Sequence, residues 1–431
     1  MSTLPQRRAA RGPPTHGDTV AALDIGASKI TCLIGRTDLN QTAGFTLLGG
    51  GKQQSRGFSG GAITDMEALE RAVRLAVEDA ERQAGTRVNA LNLGITGPRV
   101  KSHLTMALLA PTGREINARD MRRVQAKAMA RLDLKDDDIL SVYPVAYRVD
   151  DIEGVREPAG MVAEKLGVLL NVVTAPTALV RNLSEVVNRA HLKVERLVPS
   201  SIASGFGTLI EDEADNGAIC IDMGADVTAV SVFLNGTPAA LELVAAGGGH
   251  VTADLAQGLG TTFAAAERMK TIYGHSDLTA PGLAERIQCP RLGDDGRLNA
   301  ERMPRIKLAE IIAPRVEEVF ELIAEQLNQS PLAKVMPRRV VLTGGASQLP
   351  GSRDVANYIL GMPVRLGRPV HAEILGESLA SPGFSTAAGL LTYGIKGNLD
   401  AAWAGASRGQ FGVAGTGGTI NKTWTWLREN F

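Results

Sequence analysis

Apolar residues recur along this chain with two periods, and the alternation between them marks out its elements. TVAALDIG, beginning at Thr19, is a continuous aliphatic run closed by a glycine turn, and KITCLIG follows as a second run. The pair predicts a buried strand, a tight turn and another strand. From Thr64 the period lengthens. Met66, Leu69, Val73 and Val77 recur at helical spacing up to Gly85, and Thr64 with Glu67 forms a capping-box pair at the start. NALNLGIT (89–96) predicts another buried strand. After Gly97-Pro98 a charged block runs to about residue 175, with an acidic loop at Asp136–Asp138 and a strand in LGVLLNVVTA (166–175), so an inserted subdomain is expected. The opening theme then returns. A helix around 177–190 and a strand at 194–198 lead to GAICIDMGADVTAVSVFLNG (217–236), again strand, glycine turn, strand. KLAEIIAPRVEEVFELIAEQL (307–327) is an amphipathic helix, RRVVLTGGASQLPG (338–351) is a strand entering a glycine turn, and the fold should end near Gly394.

The two ends differ from this body. Residues 1–18 carry Arg7, Arg8 and Arg11, no acid before Asp18, and Pro5, Pro13 and Pro14, a composition expected to be disordered. AGASRGQFGVAGTGG (404–418) reads as a flexible linker. In the terminal INKTWTWLRENF, a helix would align Ile420, Trp424, Leu427 and Phe431 on one face, with Lys422, Thr425 and Glu429 opposite. Arg428 and Asn421 flank the stripe, and Trp426 lies on the other flank, where an indole suits headgroup depth. Such a segment would lie in a membrane plane rather than across it. A helix docked on its own domain is the alternative, but it would need no glycine-rich tether. Each fully buried large apolar side chain contributes roughly 1.5–3 kcal/mol and interfacial burial is partial, so one tail should bind weakly. Many tails on one filament would bind as a unit.

Composition narrows the class. The 431 residues carry 46 basic and 46 acidic side chains, and a net charge of zero argues against broad electrostatic binding to nucleic acid or to an acidic membrane surface. The length suggests two or more folding units. No run of apolar residues is long enough to span a bilayer, and the basic start lacks the apolar core of a signal peptide. Cys32, Cys220 and Cys289 have no paired spacing, which fits a reducing cytosol without a disulfide or zinc framework.

The candidate chemistry lies in a repeat. LDIGAS (23–28) and IDMGAD (221–226) match position by position, about one domain length apart. Asp24 and Asp222 each end a strand before a turn whose glycine lets backbone N–H groups approach an anion. Two such hairpins facing each other would clasp a polyphosphate, with the two carboxylates holding Mg²⁺ through water. Thr343-Gly344-Gly345 would let backbone lie close to a nucleoside. One Asp-x-Gly after a strand is an ordinary turn; two in register, followed by a third glycine turn, are far less easily accidental. A Walker A loop is absent, as is a GxGxxG between a strand and a helix.

LDIGAS, IDMGAD and LTGGAS, in that order, resemble the phosphate-1, phosphate-2 and adenosine motifs of the actin/Hsp70/sugar-kinase superfamily, whose members bind ATP between duplicated α/β domains. Within it, AALDIGASKI, LAEIIAPRVEEV (308–319), VVLTGGASQLPG, FSTAAGLLTYG (384–394) and WLRENF (426–431) resemble the FtsA family of bacterial actin-like cell-division proteins, from about residue 19 to the end. The resemblance implies an α/β fold of actin-like duplicated domains around an interdomain nucleotide cleft, with two inserted subdomains and a C-terminal amphipathic helix on a flexible linker. The implied division is a basic tail at 1–18, a first subdomain (1A) at 19–98 and 179–215, and an insert (1C) at 99–178. A second subdomain (2A) takes 216–256 and 338–398, a second insert (2B) 257–337, the linker 399–419 and the membrane-targeting helix 420–431.

Carried over position by position, Gly26, Ala27, Ser28 and Lys29 would contact the β-phosphate side. Gly224, Ala225, Asp226 and Thr228 would contact the γ-phosphate side, and Asp24 and Asp222 the metal. Gly248 and Gly249 lie in GGGHVTADLA (247–256), which resembles the loop and helix approaching the ribose and phosphates. Glu267 and Lys270 would contact ribose and base, with a solvated helix face as the alternative. Gly344, Gly345 and Ser347 would flank the adenine. Where several superfamily members place a Gln or Glu that orients the attacking water, VPSSIASGFG (198–207) offers Ser200 and Ser201, so hydrolysis is expected to be slow. The family also implies polymerisation, tethering of the tubulin-like protein FtsZ to the inner face of the cytoplasmic membrane, and recruitment of later divisome proteins. The C-terminal peptide of FtsZ would dock on the second insert, where Arg302, Arg305, Lys307 and Arg315 form a basic cluster beside an apolar helix. Ile420, Trp424, Trp426, Leu427, Arg428 and Phe431 would meet the lipid. The alternatives are an actin-fold adaptor of pilus assembly, which would lack the Trp-rich tail, and a small-molecule kinase, for which no sugar-site motif is found. A chaperone would need a substrate domain after Gly394, and too little chain follows.

Overall fold

The strand–turn–strand theme becomes one sheet built twice. In the computed structural model, which describes residues 17–396 apart from 39, 42, 112 and 294–296, the first half opens with β1 (Thr19–Ile25), β2 (Lys29–Thr37) and β3 (Phe45–Gln54). A small hairpin, β4 (Phe58–Ser59) and β5 (Ala62–Ile63), precedes helix α1 (Met66–Ala84) and β6 (Ala90–Ile95). The chain then leaves for an insert: β7 (Lys101–Leu109), β8 (Arg114–Glu115), α2 (Ala118–Met129), β9 (Asp137–Val149), β10 (Ile152–Val155), β11 (Val162–Ala163) and β12 (Leu166–Pro176). It returns through α3 (Thr177–Arg189), β13 (Lys193–Pro199), α4 (Ser200–Thr208) and α5 (Glu211–Asn216). The second half begins with β14 (Ala218–Met223), β15 (Thr228–Leu234), β16 (Thr237–Val244), α6 (Gly248–Leu259) and α7 (Phe263–Tyr273). The hairpin β17 (Arg286–Leu292) and β18 (Leu298–Pro304) and the long α8 (Ile306–Gln329) come next. β19 (Val340–Thr343), α9 (Ser352–Leu360), β20 (Val364–Leu366), α10 (Ala372–Leu375) and α11 (Ser385–Lys396) complete it.

The two main sheets run β13-β6-β1-β2-β3 and β16-β15-β14-β19-β20. In each, an antiparallel meander carries parallel strands on its first member: β1 pairs antiparallel with β2 and parallel with β6, as β14 does with β15 and β19. The sequence repeat is therefore a repeat of topology. Both faces of these sheets are covered, which is why their strands read as continuous apolar runs rather than alternating ones. On the first sheet, α1 buries Leu69, Ala72, Val73, Ala76, Val77 and Ala80. Its backbone presses onto β3 so closely that a Cβ on Gly51 would stand 2.0 Å from the Ala76 carbonyl oxygen. Helix α1 is capped by Asp65, whose side chain accepts from the Ala68 N–H at 3.0 Å, and not by the expected Thr64. An aspartate accepts that bond as well as a threonine, so the one-residue offset costs nothing.

The insert forms its own antiparallel sheet, β10-β9-β12-β7, with α2 packed on β7 and β12. The expected acidic loop is only partly a loop: Asp137 and Asp138 already pair with Pro176 and Ala175 in the β9–β12 ladder. This sheet also reaches the second half, because the fully buried Asn171 donates from Nδ2 to the Pro238 carbonyl at 3.1 Å. Ser102 Oγ donates to Asn171 Oδ1 at 2.7 Å, so both ends of that amide are used.

Two helices exchange partners between the halves. Helix α4 leaves the first sheet and packs on β14 and β15, whereas α11 leaves the second sheet and packs on β1, β2 and β6. Where they cross, glycine is required: a Cβ on Gly389 would lie 1.6 Å from the Ala203 oxygen, and one on Gly207 2.2 Å from the Ser385 oxygen. No helix among the described residues is long and apolar enough to cross a membrane.

Candidate functional site

The repeated strand ends bring their aspartates into one space. Asp24 and Asp222 each lie one residue short of the end of their strands, β1 and β14, and each is followed by the same turn. The Gly26 N–H donates to the Lys29 carbonyl and the Gly224 N–H to the Val227 carbonyl, both at 3.0 Å. Burial pushes the Asp24 carboxyl up to about 7, and the nearby Asp222 charge adds to the rise while Lys29 opposes it. Asp222 is raised too, chiefly by burial, against hydrogen bonds from Thr386 and Ser204 and the Lys29 charge. Burial lowers Lys29 against the pull of both aspartates, and its ammonium lies 3.8 Å from the centroid of the Phe384 ring. Two buried carboxylates thus share one ammonium, an arrangement short of positive charge.

That shortage suits a magnesium ion. No group of three or more His, Cys, Asp or Glu residues able to hold a metal exists among the described residues. A pair of carboxylates without further protein ligands fits an ion that keeps most of its waters and takes phosphate oxygens.

Glycine cradles surround this pair. Gly344 adopts φ +89°, and a Cβ there would lie 2.3 Å from Asp222 Oδ1; at Gly345 a Cβ would meet open space. Thr386 Oγ1, at the start of α11, donates to Asp222 Oδ2 at 2.9 Å. The N-terminal glycines of α6 dock on the second turn: the Gly248 N–H donates to the Gly224 carbonyl at 2.9 Å and the Gly249 N–H to the Ala225 carbonyl at 2.7 Å. Lys270 Nζ donates to the Gly248 carbonyl and to Thr252 Oγ1, each at 2.8 Å, and to Glu267 Oε2 at 2.7 Å. Glu267 and Lys270 are therefore brought to the same wall and tied to each other. Asp226 reaches across to the first half, accepting from Ser59 and Gly60. Two expected contacts face inward: Thr228 is fully buried and donates to the Ala246 carbonyl at 2.7 Å, and Ser347 is buried and donates to the Gly344 carbonyl at 2.7 Å. Their hydroxyls hold the turns in shape.

Ser200 opens α4, whose first turn carries no acid. The Ser200 and Ser201 hydroxyls are buried and have no hydrogen-bond partner among the described residues. A Cβ on Gly94 would lie 3.0 Å from Ser200 Oγ and 3.4 Å from Asp24 Oδ1, so both side chains border the space over Gly94. Phe384, Thr386, Ser59 and Gly60 were not foreseen. The glycine cluster Gly57, Gly60 and Gly61 was the available signal for the hairpin.

The basic residues of the second half are dispersed among internal partners. Arg315 forks onto Asp254 at 2.7 and 3.2 Å and also binds Glu318. Arg305 donates to the Tyr273 carbonyl at 2.6 Å, Lys307 pairs with Glu310 at 2.7 Å, and Arg302 lies opposite Gln288 in the β17–β18 ladder. Ile420, Trp424, Trp426, Leu427, Arg428 and Phe431 lie outside the described residues, as do Arg7, Arg8 and Arg11.

Comparison with known proteins bears on this arrangement. A family model described as Cell division protein FtsA matches residues 219–389, and one described as SHS2 domain inserted in FTSA matches residues 97–174. A protein of Rhizobium meliloti (strain 1021) named Cell division protein FtsA is 36% identical over 427 residues, covering 97% of this chain and 96% of the relative. The chain belongs to the FtsA family. The SHS2 match falls on the segment that forms the separate β10-β9-β12-β7 sheet, and the FtsA match takes in Asp222, the α6 glycines and Gly344. Among solved structures, the PilM-PilN type IV pilus biogenesis complex aligns with a TM-score of 0.61 at 16% identity, over 87% of this chain and 98% of the other. MreB5 of Spiroplasma citri bound to ADP aligns with a TM-score of 0.53 at 11% identity, over 87% and 95%. These likenesses identify the fold as actin-like, and this FtsA-family chain as a cell-division protein.

Proposed function

We propose that this chain binds ATP with magnesium in the cleft between its two halves and polymerises in that state on the cytoplasmic face of the cell inner membrane. There it tethers FtsZ filaments at the division site and recruits later divisome proteins. The convergence of Asp24, Asp222 and Lys29 from two copies of one hairpin carries the nucleotide reading. Asp24 and Asp222 would hold the magnesium, the turns after them the phosphates, and the open side of Gly345 the adenine. The ion would supply the charge that lets both carboxylates stay ionised beside a polyphosphate. With serines and no acid at the start of α4, nucleotide serves mainly as a ligand and hydrolysis is slow.

The family supports the partners, and zero net charge fits a protein without nucleic acid among them. The FtsZ peptide would meet the β17–β18 and α8 region through Arg302 and Lys307; Arg305 and Arg315 shape that surface through their internal bonds. Fluorescent ATP should bind the full chain only with magnesium present, and Asp222→Ala should abolish that binding. Magnesium-independent binding, unchanged in the variant, would sink the reading. Deleting 420–431 should abolish co-sedimentation with anionic vesicles while leaving nucleotide binding intact; a truncated chain that still pellets with vesicles removes the membrane role from that segment.

A further inference from the structure

The turn after β14 carries an acid where the nucleotide reading places the γ-phosphate side. Asp226 Oδ2 accepts hydrogen bonds from Ser59 Oγ at 2.9 Å and from the Gly60 N–H at 2.7 Å. Both donors belong to the β4–β5 hairpin of the first half, so this carboxylate bridges the cleft. The hairpin is a shaped platform: Gly57, Gly60 and Gly61 adopt φ of +75°, +58° and +73°. A Cβ on Gly61 would lie 2.4 Å from the Cα of Gly97, so the hairpin rests on the loop that follows β6. The other carboxylate oxygen faces α6, where a Cβ on Gly249 would lie 3.3 Å from Asp226 Oδ1. Asp226 is thus wedged between the β4–β5 hairpin and the N-terminus of α6, and its partners on the hairpin are neutral donors.

A phosphate entering this corner meets a like charge, and repulsion at contact distance between exposed charges is enough to shift binding several-fold. It also competes with Asp226 for the same donors, since a hydroxyl and a backbone N–H are the groups a phosphate oxygen takes. We propose that Asp226 is a cross-cleft clasp that sets the preference between nucleoside diphosphate and triphosphate. A diphosphate leaves the carboxylate on Ser59 and Gly60. The third phosphate displaces it, so that ATP releases the hairpin and ADP keeps it. This inference rests on the cleft being the nucleotide site proposed above.

Asp226→Asn tests it, because an amide oxygen can still accept both hydrogen bonds while the charge is gone. In the full chain with magnesium, the variant should raise affinity for ATP relative to ADP about five- to tenfold over the wild type. Site-resolved hydrogen exchange gives a second readout: the wild-type Gly60 amide should exchange faster with ATP bound than with ADP, and the variant should show no such difference. If both nucleotides bind but the ATP:ADP ratio stays within about twofold of wild type, or Gly60 exchanges equally in both wild-type complexes, the clasp is overturned and the nucleotide site stands. If the wild-type chain binds neither nucleotide, the nucleotide reading falls, and the clasp with it.

Discussion

Burial makes Asp24 a poor anion until something positive arrives. Its carboxyl titrates near 7 in the folded chain against a reference value of 3.8. At acid pH both folded and unfolded states hold the proton. Between those two values the unfolded chain releases it and the folded chain does not, so ligand-free stability falls as pH rises from about 4 and the loss is complete above about 7. A shift of this size corresponds to about 4 kcal/mol. Asp24→Asn should therefore raise the unfolding midpoint of the ligand-free protein at pH 8, leave it nearly unchanged at pH 4, and abolish magnesium-dependent nucleotide binding. Thermal melts at the two pH values check the sign. The importance of Asp24 and Asp222 was legible in sequence because a strand end and a glycine turn are local features. The inward aim of Thr228 was not, since it depends on the distant Ala246 carbonyl, whereas Ser347 closes its own turn on Gly344.

The elements that sequence foretold best are those whose pattern needs no partner. β1, β12 and β14 are aliphatic runs longer than any turn could hold, and α8 repeats its apolar face over 24 residues. Two-residue strands such as β4 and β5 have no period to read; they exist because glycines at positive φ turn the chain back on itself. The exchange of α4 and α11 was invisible for a different reason. In α4 every residue but Phe206 is buried, so no polar face says which sheet it covers. The glycines where α4 and α11 cross carry the information instead. Gly389→Ala should cost about 3 kcal/mol or more, because the new methyl has no room against the Ala203 carbonyl. Gly345→Ala should leave stability within about 0.5 kcal/mol, because its Cβ meets open space. Denaturant unfolding of the two variants separates a required glycine from a tolerant one.

The whole molecule is a duplication, and that much was readable from LDIGAS and IDMGAD alone. What holds the insert against the second half was not readable, because Asn171 in an apolar strand looks like an interruption rather than a joint. Asn171→Ala should cost about 1–3 kcal/mol by stranding the Pro238 carbonyl. Hydrogen exchange should quicken in β7, β12 and β16 before the central strands of either main sheet. Equal protection across the chain would mean that the insert is held by its apolar contacts alone.

The crossed helices also bear on how the chain is made. Ribosomes deliver residues in order, at about 5–20 per second. The face of the first sheet that carries Val20, Ala22 and Leu33 is covered by Leu390, Leu391 and Tyr393 of α11, among the last described residues to emerge. An early apolar surface therefore waits through nearly the whole of synthesis for its cover. The first half should therefore not fold by itself, and nascent chains halted before Ser385 should be held by chaperones.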